Sequence, residues 1–170
     1  MASNSYCKLP VGLLKTLTLG AAGLFCLPLL FAQTPNSGYL SVGELPKATG
    51  KRNAAVQVKI PVAVKEGYHV NSNQPNEEYL IPLKLTWTLT GALEGGTVTY
   101  PKAELEKYEF SEKPLSVYTG SFFLVANFKV AANAPAGPGA ATGKLRYQAC
   151  SSRACYPPKT VDITVSYQVQ

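Results

Sequence analysis

Period-two alternation of apolar and polar residues is the feature of this chain that most restricts its fold. Val56, Val58, Ile60, Val62 and Val64 recur on one face, with Gln57, Lys59, Pro61 and Ala63 on the other. The same pattern runs through Ile81, Leu83, Leu85, Trp87 and Leu89, and through Phe122, Leu124, Ala126, Phe128 and Val130. It returns at Val161, Ile163, Val165, Tyr167 and Val169. Strict alternation predicts half-buried strands, because successive side chains of a strand point to opposite faces. Shorter strands are expected at Thr97–Tyr100, Leu115–Tyr118 and Lys144–Gln148. Pro61 cannot donate to a ladder, so its strand is expected at an edge or at a bulge. Residues 102–107 allow at most a helical turn. Gly91, Gly95-Gly96, Gly120 and the low-complexity run 131–143 read as punctuation between strands. Trp87 reads as a core residue. The expected fold is all-β, an antiparallel immunoglobulin-like β-sandwich.

The first 32 residues differ from the rest. Leu17 to Ala32 is free of charge and follows Lys8 and Lys15, the n-region and h-region of a secretory signal peptide. An uncleaved anchor is the alternative. Residues 33–51 are rich in Gly, Pro, Ser, Asn and Thr and read as a flexible linker leading into a first strand of uncertain position. The domain is expected over 52–170, exported, periplasmic and either free or tethered through its leader. Removing residues 1–32 leaves 14 basic and 10 acidic residues, a net charge of +4 with no clustered stripe. Nucleic acid is therefore not an expected partner.

Two cysteines remain beyond the leader, Cys150 and Cys155, in the segment joining the last two strands. Four residues separate them, which matches neither a C-x-x-C redox motif nor a zinc ribbon. A hairpin brings such positions near the ~5.5 Å that a disulfide needs. A bridge closing so short a loop stabilises by only about 2 kcal/mol on the loop-entropy model. Arg153 lies between the cysteines, and a cation lowers a thiol's pKa. Pro157-Pro158 stiffens the exit, and Tyr147 and Tyr156 are placed to wall the sulfurs. From the residues alone, a reactive pair and a structural staple both stand. Blue copper wants two His and an axial Met, and His69 is the lone histidine while Met1 falls in the leader. Structural zinc would need a fourth ligand. No nucleophile elbow accompanies His69. No metal or other cofactor is expected.

Tyr147-Gln148-Ala149-Cys150 with Cys155-Tyr156-Pro157-Pro158 resembles the active-site hairpin of the amino-terminal periplasmic domains of the thiol:disulfide interchange protein DsbD. Gly67-Tyr68-His69-Val70-Asn71 and Val117-Tyr118 fall where that family has related segments, so the resemblance spans most of 52–170. It implies an immunoglobulin-like domain whose cysteine pair alternates between dithiol and disulfide, as part of a protein-disulfide reductase or interchange system. Electrons would come from a membrane-embedded thiol reductase domain and pass to periplasmic thioredoxin-like or disulfide isomerase proteins, with no small-molecule substrate. The resemblance further implies an aromatic residue on a mobile loop over the cysteines, for which Phe110 is the candidate. It places His69 and Asn71 near the pair, where familiar members carry aromatic residues, and assigns the partner bond to Cys155, held against Pro157. Familiar members have one more residue between the cysteines. The sequence ends at Gln170, so the membrane reductase is expected on a separate chain. The alternative is a non-catalytic secreted binding module with a structural hairpin disulfide.

Overall fold

The computed structural model describes residues 38–89 and 91–170. The leader expected over 1–32 lies outside them. Twelve strands and no helices make up the described residues, and none of these contains a helix long and apolar enough to cross a membrane. The strands are β1 (Leu40–Val42), β2 (Ala48–Gly50), β3 (Ala55–Val64), β4 (His69–Asn71), β5 (Lys84–Thr88) and β6 (Leu93–Thr99). They continue with β7 (Glu104–Glu106), β8 (Leu115–Tyr118), β9 (Ser121–Val130), β10 (Gly137–Tyr147), β11 (Ala149–Cys150) and β12 (Lys159–Val169). Two four-stranded sheets, β1-β3-β9-β6 and β2-β12-β10-β5, enclose the main core, and a third sheet has the order β11-β4-β8-β7. Every pairing is antiparallel except β12 with β2. This is the all-β, immunoglobulin-like sandwich that the alternation predicts. The inward rows behave as their period requires. Val58, Ile60 and Leu124 of one sheet and Leu145, Ile163 and Val165 of the other are at most 2% exposed within one apolar cluster.

Several local expectations are corrected. Residues 33–51 are not only a linker, since β1 and β2 lie there, with Leu40 and Val42 fully buried. β3 is not an edge strand, because it pairs with β9 along its length and with β1 over Val62–Val64. The Pro61 carbonyl accepts from the Gly43 N–H just past β1. A strand residue turns its N–H and C=O to the same side, so the donor Pro61 lacks would have faced the side where β1 ends. Gly95 and Gly96, at φ 87° and 71°, form a bulge inside β6 opposite β9 instead of a break between strands. Residues 102–107 supply the strand β7, paired with β8, where a helical turn was allowed. The row from Ile81 to Leu89 is a strand only from Lys84. Pro82 interrupts it, and the Leu83 N–H donates to the Ser72 carbonyl.

The largest correction concerns the low-complexity run. Residues 137–143 are the first half of β10, paired residue for residue with β12. Neighbouring rings make this possible. Gly139 lies opposite Tyr167 and Gly143 opposite Trp87. A Cβ at Gly139 would stand 2.3 Å from the Tyr167 ring, and one at Gly143 would stand 2.8 Å from Trp87. The rings cover backbone that glycine leaves bare, so this strand is built by its neighbours' side chains. Gly143→Val therefore destabilises despite valine's strand propensity, by about 1–3 kcal/mol as an overpacked site. Urea unfolding checks this, and an unchanged or raised midpoint would contradict it.

Candidate functional site

The third sheet positions the cysteines. Its ladder pairs Ala149 with Val70 and Cys150 with His69, then Val70 with Tyr118 and Asn71 with Val117. Alternation sorts these residues between two faces. Val70, Tyr118 and Ala149 belong to the main core. Cys150, His69, Asn71 and Val117 fall on the other face. There a second, smaller apolar cluster of Leu80, Leu115 and Val117 packs with Tyr108, Phe110 and Cys155.

Cys150 and Cys155 are joined in a disulfide with their Cα atoms 3.9 Å apart, in the connection between β10 and β12, the last two long strands. Cys150 is 0% exposed, and Cys155 is half-buried. The turn between them is closed by the Ser151 N–H on the Ala154 carbonyl at 2.8 Å. The Ser151 hydroxyl accepts from the Arg153 and Ala154 N–H groups, both at 3.3 Å. Arg153 and Pro157 are exposed.

A roof of stacked rings covers this face. Tyr108 lies on the His69 imidazole with centroids 3.9 Å apart and planes 18° from parallel, and Phe110 lies 5.7 Å beyond Tyr108. The loop that carries them is tied mostly to itself. The Lys107 ammonium donates to the Ser111 and Glu112 carbonyls, the Ser111 hydroxyl to the Lys113 carbonyl, and the Tyr108 hydroxyl to Glu106. Burial first, then the Glu106 carboxylate, raises the Tyr108 phenol above its ordinary value. Burial lowers His69 to about 4, with Glu106 pulling weakly the other way. His69 is 2% exposed, and its Nε2 has no hydrogen-bond partner.

Behind the cysteines an amide junction fixes the hairpin base. The Gln148 side-chain oxygen accepts from the Ile81 N–H and from Asn71 Nδ2, both at 3.0 Å, while Asn71 Nδ2 also reaches the Ile81 carbonyl at 3.1 Å. Gln148 Nε2 donates to the Tyr156 carbonyl at 3.2 Å. Each such bond is worth about 1 kcal/mol net, and more is lost when a buried partner is stranded. On the exit side, Tyr156 stacks on Tyr39 at 4.9 Å and leans on Tyr68 at 6.0 Å. The Lys159 and Lys65 ammonium groups sit over the Tyr39 and Tyr68 rings.

The structure thus brings Cys150, Cys155, His69, Asn71, Phe110 and Tyr156 into one region. Tyr147 lies fully buried in the main core, away from the cluster that packs on Cys155. Tyr108 and Tyr39 were not singled out from the sequence, and Gln148 and Tyr68 stood there only within the family-like segments. Tyr108 was findable, since it stands two residues before Phe110, in the turn that the Ser111 N–H closes on the Tyr108 carbonyl. Tyr39 comes from a distant part of the chain and leaves no local signal, and the Gly67–Asn71 segment gives no sign that Tyr68 meets Tyr39 and Tyr156. Among the described residues no group of three or more His, Cys, Asp and Glu could hold a metal ion.

Comparison with known proteins bears on this geometry. The family model described as "Thiol:disulfide interchange protein DsbD, N-terminal" matches residues 39–166. No curated protein matches the chain. The N-terminal periplasmic domain of ScsB from Proteus mirabilis has a similar structure, with a TM-score of 0.54 at 14% identity over 79% of this chain and 48% of that one. The chain therefore spans about half of that structure, and the likeness is one of fold. The DsbD N-terminal domain of Neisseria meningitidis, solved in its reduced form, is 22% identical over 74% of this chain and 90% of that one, with a TM-score of 0.42.

The depressed basicity of His69 has a signed consequence for stability. Above pH 6.5 the imidazole is neutral folded or unfolded and contributes nothing. As pH falls from 6.5 towards about 4 the unfolded chain binds a proton that the folded one refuses, so stability is lost across that window. His69→Phe keeps a ring under Tyr108 and removes this loss. Urea midpoints across the window should fall more steeply for the native protein than for the variant, and parallel curves would contradict the assignment.

Proposed function

The chain belongs to the DsbD N-terminal domain family, and on that footing we propose that it is a periplasmic thiol–disulfide exchange carrier working through Cys150 and Cys155. The observation that carries the reading is the placement of the disulfide. It closes a loop too short to add more than about 2 kcal/mol to stability. It also lies outside the main core, with Cys155 on the same small apolar cluster that Tyr108 and Phe110 cover, and the loop of these rings is tied mostly to itself. A bridge kept for stability gains nothing from such a cover, whereas a reactive pair gains protection from unwanted thiols and oxidants.

The unequal burial of the two cysteines supports a division of roles. Cys155, half-buried, is the one a partner reaches once Phe110 and Tyr108 lift. Its thiolate attacks a partner disulfide, forming the mixed bond and releasing one partner thiolate. Cys150 then attacks the Cys155 sulfur, releasing the second. Two electrons leave the carrier, which becomes the disulfide, and the partner becomes a dithiol. The reverse sequence recharges the carrier from a membrane-embedded thiol reductase. Acceptors are periplasmic thioredoxin-like or disulfide isomerase proteins. The cysteine pair is itself the redox centre. Gln148 and Asn71 hold the hairpin base, and Tyr156 holds its exit.

Single-cysteine variants test the division. With oxidised glutathione as probe, Cys150→Ser, which keeps Cys155, should form a mixed disulfide readily. Cys155→Ser, which keeps the buried thiol, should react at least about tenfold more slowly, because burial disfavours the thiolate. Equal inertness of both single-cysteine variants would overturn the carrier reading and favour a structural bridge in a binding module.

A further inference from the structure

The residue facing Cys150 supplies what the second half of the exchange lacks. Cys150 is 0% exposed, and desolvation keeps a buried thiol protonated, yet only the thiolate attacks a disulfide. Bulk water is poorly placed to take that proton. Directly opposed residues of an antiparallel ladder carry Cβ atoms about 4.5–5.5 Å apart on one face, and the residue opposed to Cys150 is His69. Its ring is 2% exposed, and its Nε2 has no hydrogen-bond partner.

The other titratable groups around the ring are less suited. From β7 and the roof loop come Glu106 and Tyr108; the Tyr108 phenol is held protonated, and it donates to the Glu106 carboxylate. From the β3–β4 turn come Lys65 and Glu66, which line a groove of about 490 Å³ together with His69, Glu106, Tyr108 and Ser152 of the hairpin tip. Lys65 brings a cation, and its ammonium sits over the Tyr68 ring. Glu66 is an exposed carboxylate on the rim. Of these groups His69 alone is buried, shares the Cys150 face and keeps an unpartnered nitrogen.

We propose that His69 accepts the Cys150 proton as this buried thiol attacks the mixed disulfide at Cys155, and returns it when Cys150 leaves in the opposite direction. The proposal rests on the exchange reading given above. In the attack, the Cys150–hydrogen bond breaks, the Cys150–Cys155 bond forms, the partner sulfur departs with the electron pair, and the imidazolium releases its proton to that thiolate or to water. The roof serves this step too. While Tyr108 covers the ring, His69 stays neutral; lifting Tyr108 hydrates the ring and restores its ordinary basicity at the moment it is needed.

Rapid-quench mass spectrometry of the prereduced chain with oxidised glutathione separates the two steps. In the native protein the Cys155–glutathione adduct should be transient. In His69→Phe, which keeps the ring under Tyr108, adduct formation should be unchanged. Resolution should slow about tenfold or more near neutral pH, the scale of a lost general base, and should climb with hydroxide where the native rate levels off. His69→Ala should regain resolution with added imidazole, and His69→Gln replaces the Phe variant if that one does not fold. Resolution at the native rate, or a slower rate with the native pH profile, would overturn the role of His69. Failure of glutathione to yield either the adduct or the oxidised chain in the native protein would instead remove the exchange reading itself, and this inference with it.

Discussion

The site depends on a two-residue pairing. Ala149 opposite Val70 and Cys150 opposite His69 set the register of the cysteine connection against the third sheet. A strand's side chains alternate, so a slip of one residue would drive Cys150 into the main core and bring Ala149 out beneath the roof. Two things prevent the slip. Val70, Ala149 and Tyr118 are matched to the core as small and large neighbours, and the Gln148–Asn71–Ile81 junction pins the step from β10 into β11. The chemistry assigned to the cysteines follows from which face this register turns them to.

The same arrangement separates firmly held parts from lightly held ones. The hairpin is held at its base by Gln148, at its tip by the Ser151 turn and at its exit by Tyr39 and Tyr68 against Tyr156. The roof, by contrast, hangs on ring stacking and on a three-residue apolar cluster. Segments with few buried apolar contacts open at low cost, independently of the global fold. On the proposed exchange role, opening the roof would leave the cysteine pair in place, and a partner would meet a preformed target rather than a loop that has first to be ordered.

Much of this was legible in the sequence and some was not, for identifiable reasons. The long rows at 56–64, 122–130 and 161–169 announced their strands because their burial pattern is written residue by residue. The glycine-rich half of β10 was unreadable because its packing surface is lent by Tyr167 and Trp87 from neighbouring strands. β1, β2 and β7 are three residues each, too short to show a period. At the site, the cysteines were visible as types in context, and Phe110 only through the family resemblance. The pairing of His69 with Cys150 and the meeting of Tyr39, Tyr68 and Tyr156 are products of topology, and no spacing within one segment encodes them.

The reduction potential of the Cys150–Cys155 pair tests the account most directly, by alkylation of free thiols in graded dithiothreitol and glutathione buffers. A carrier must both accept and give up electrons, so the value should lie between about −180 and −270 mV, among dithiol oxidoreductases. A value below about −300 mV would class the bridge with structural disulfides and contradict the exchange role.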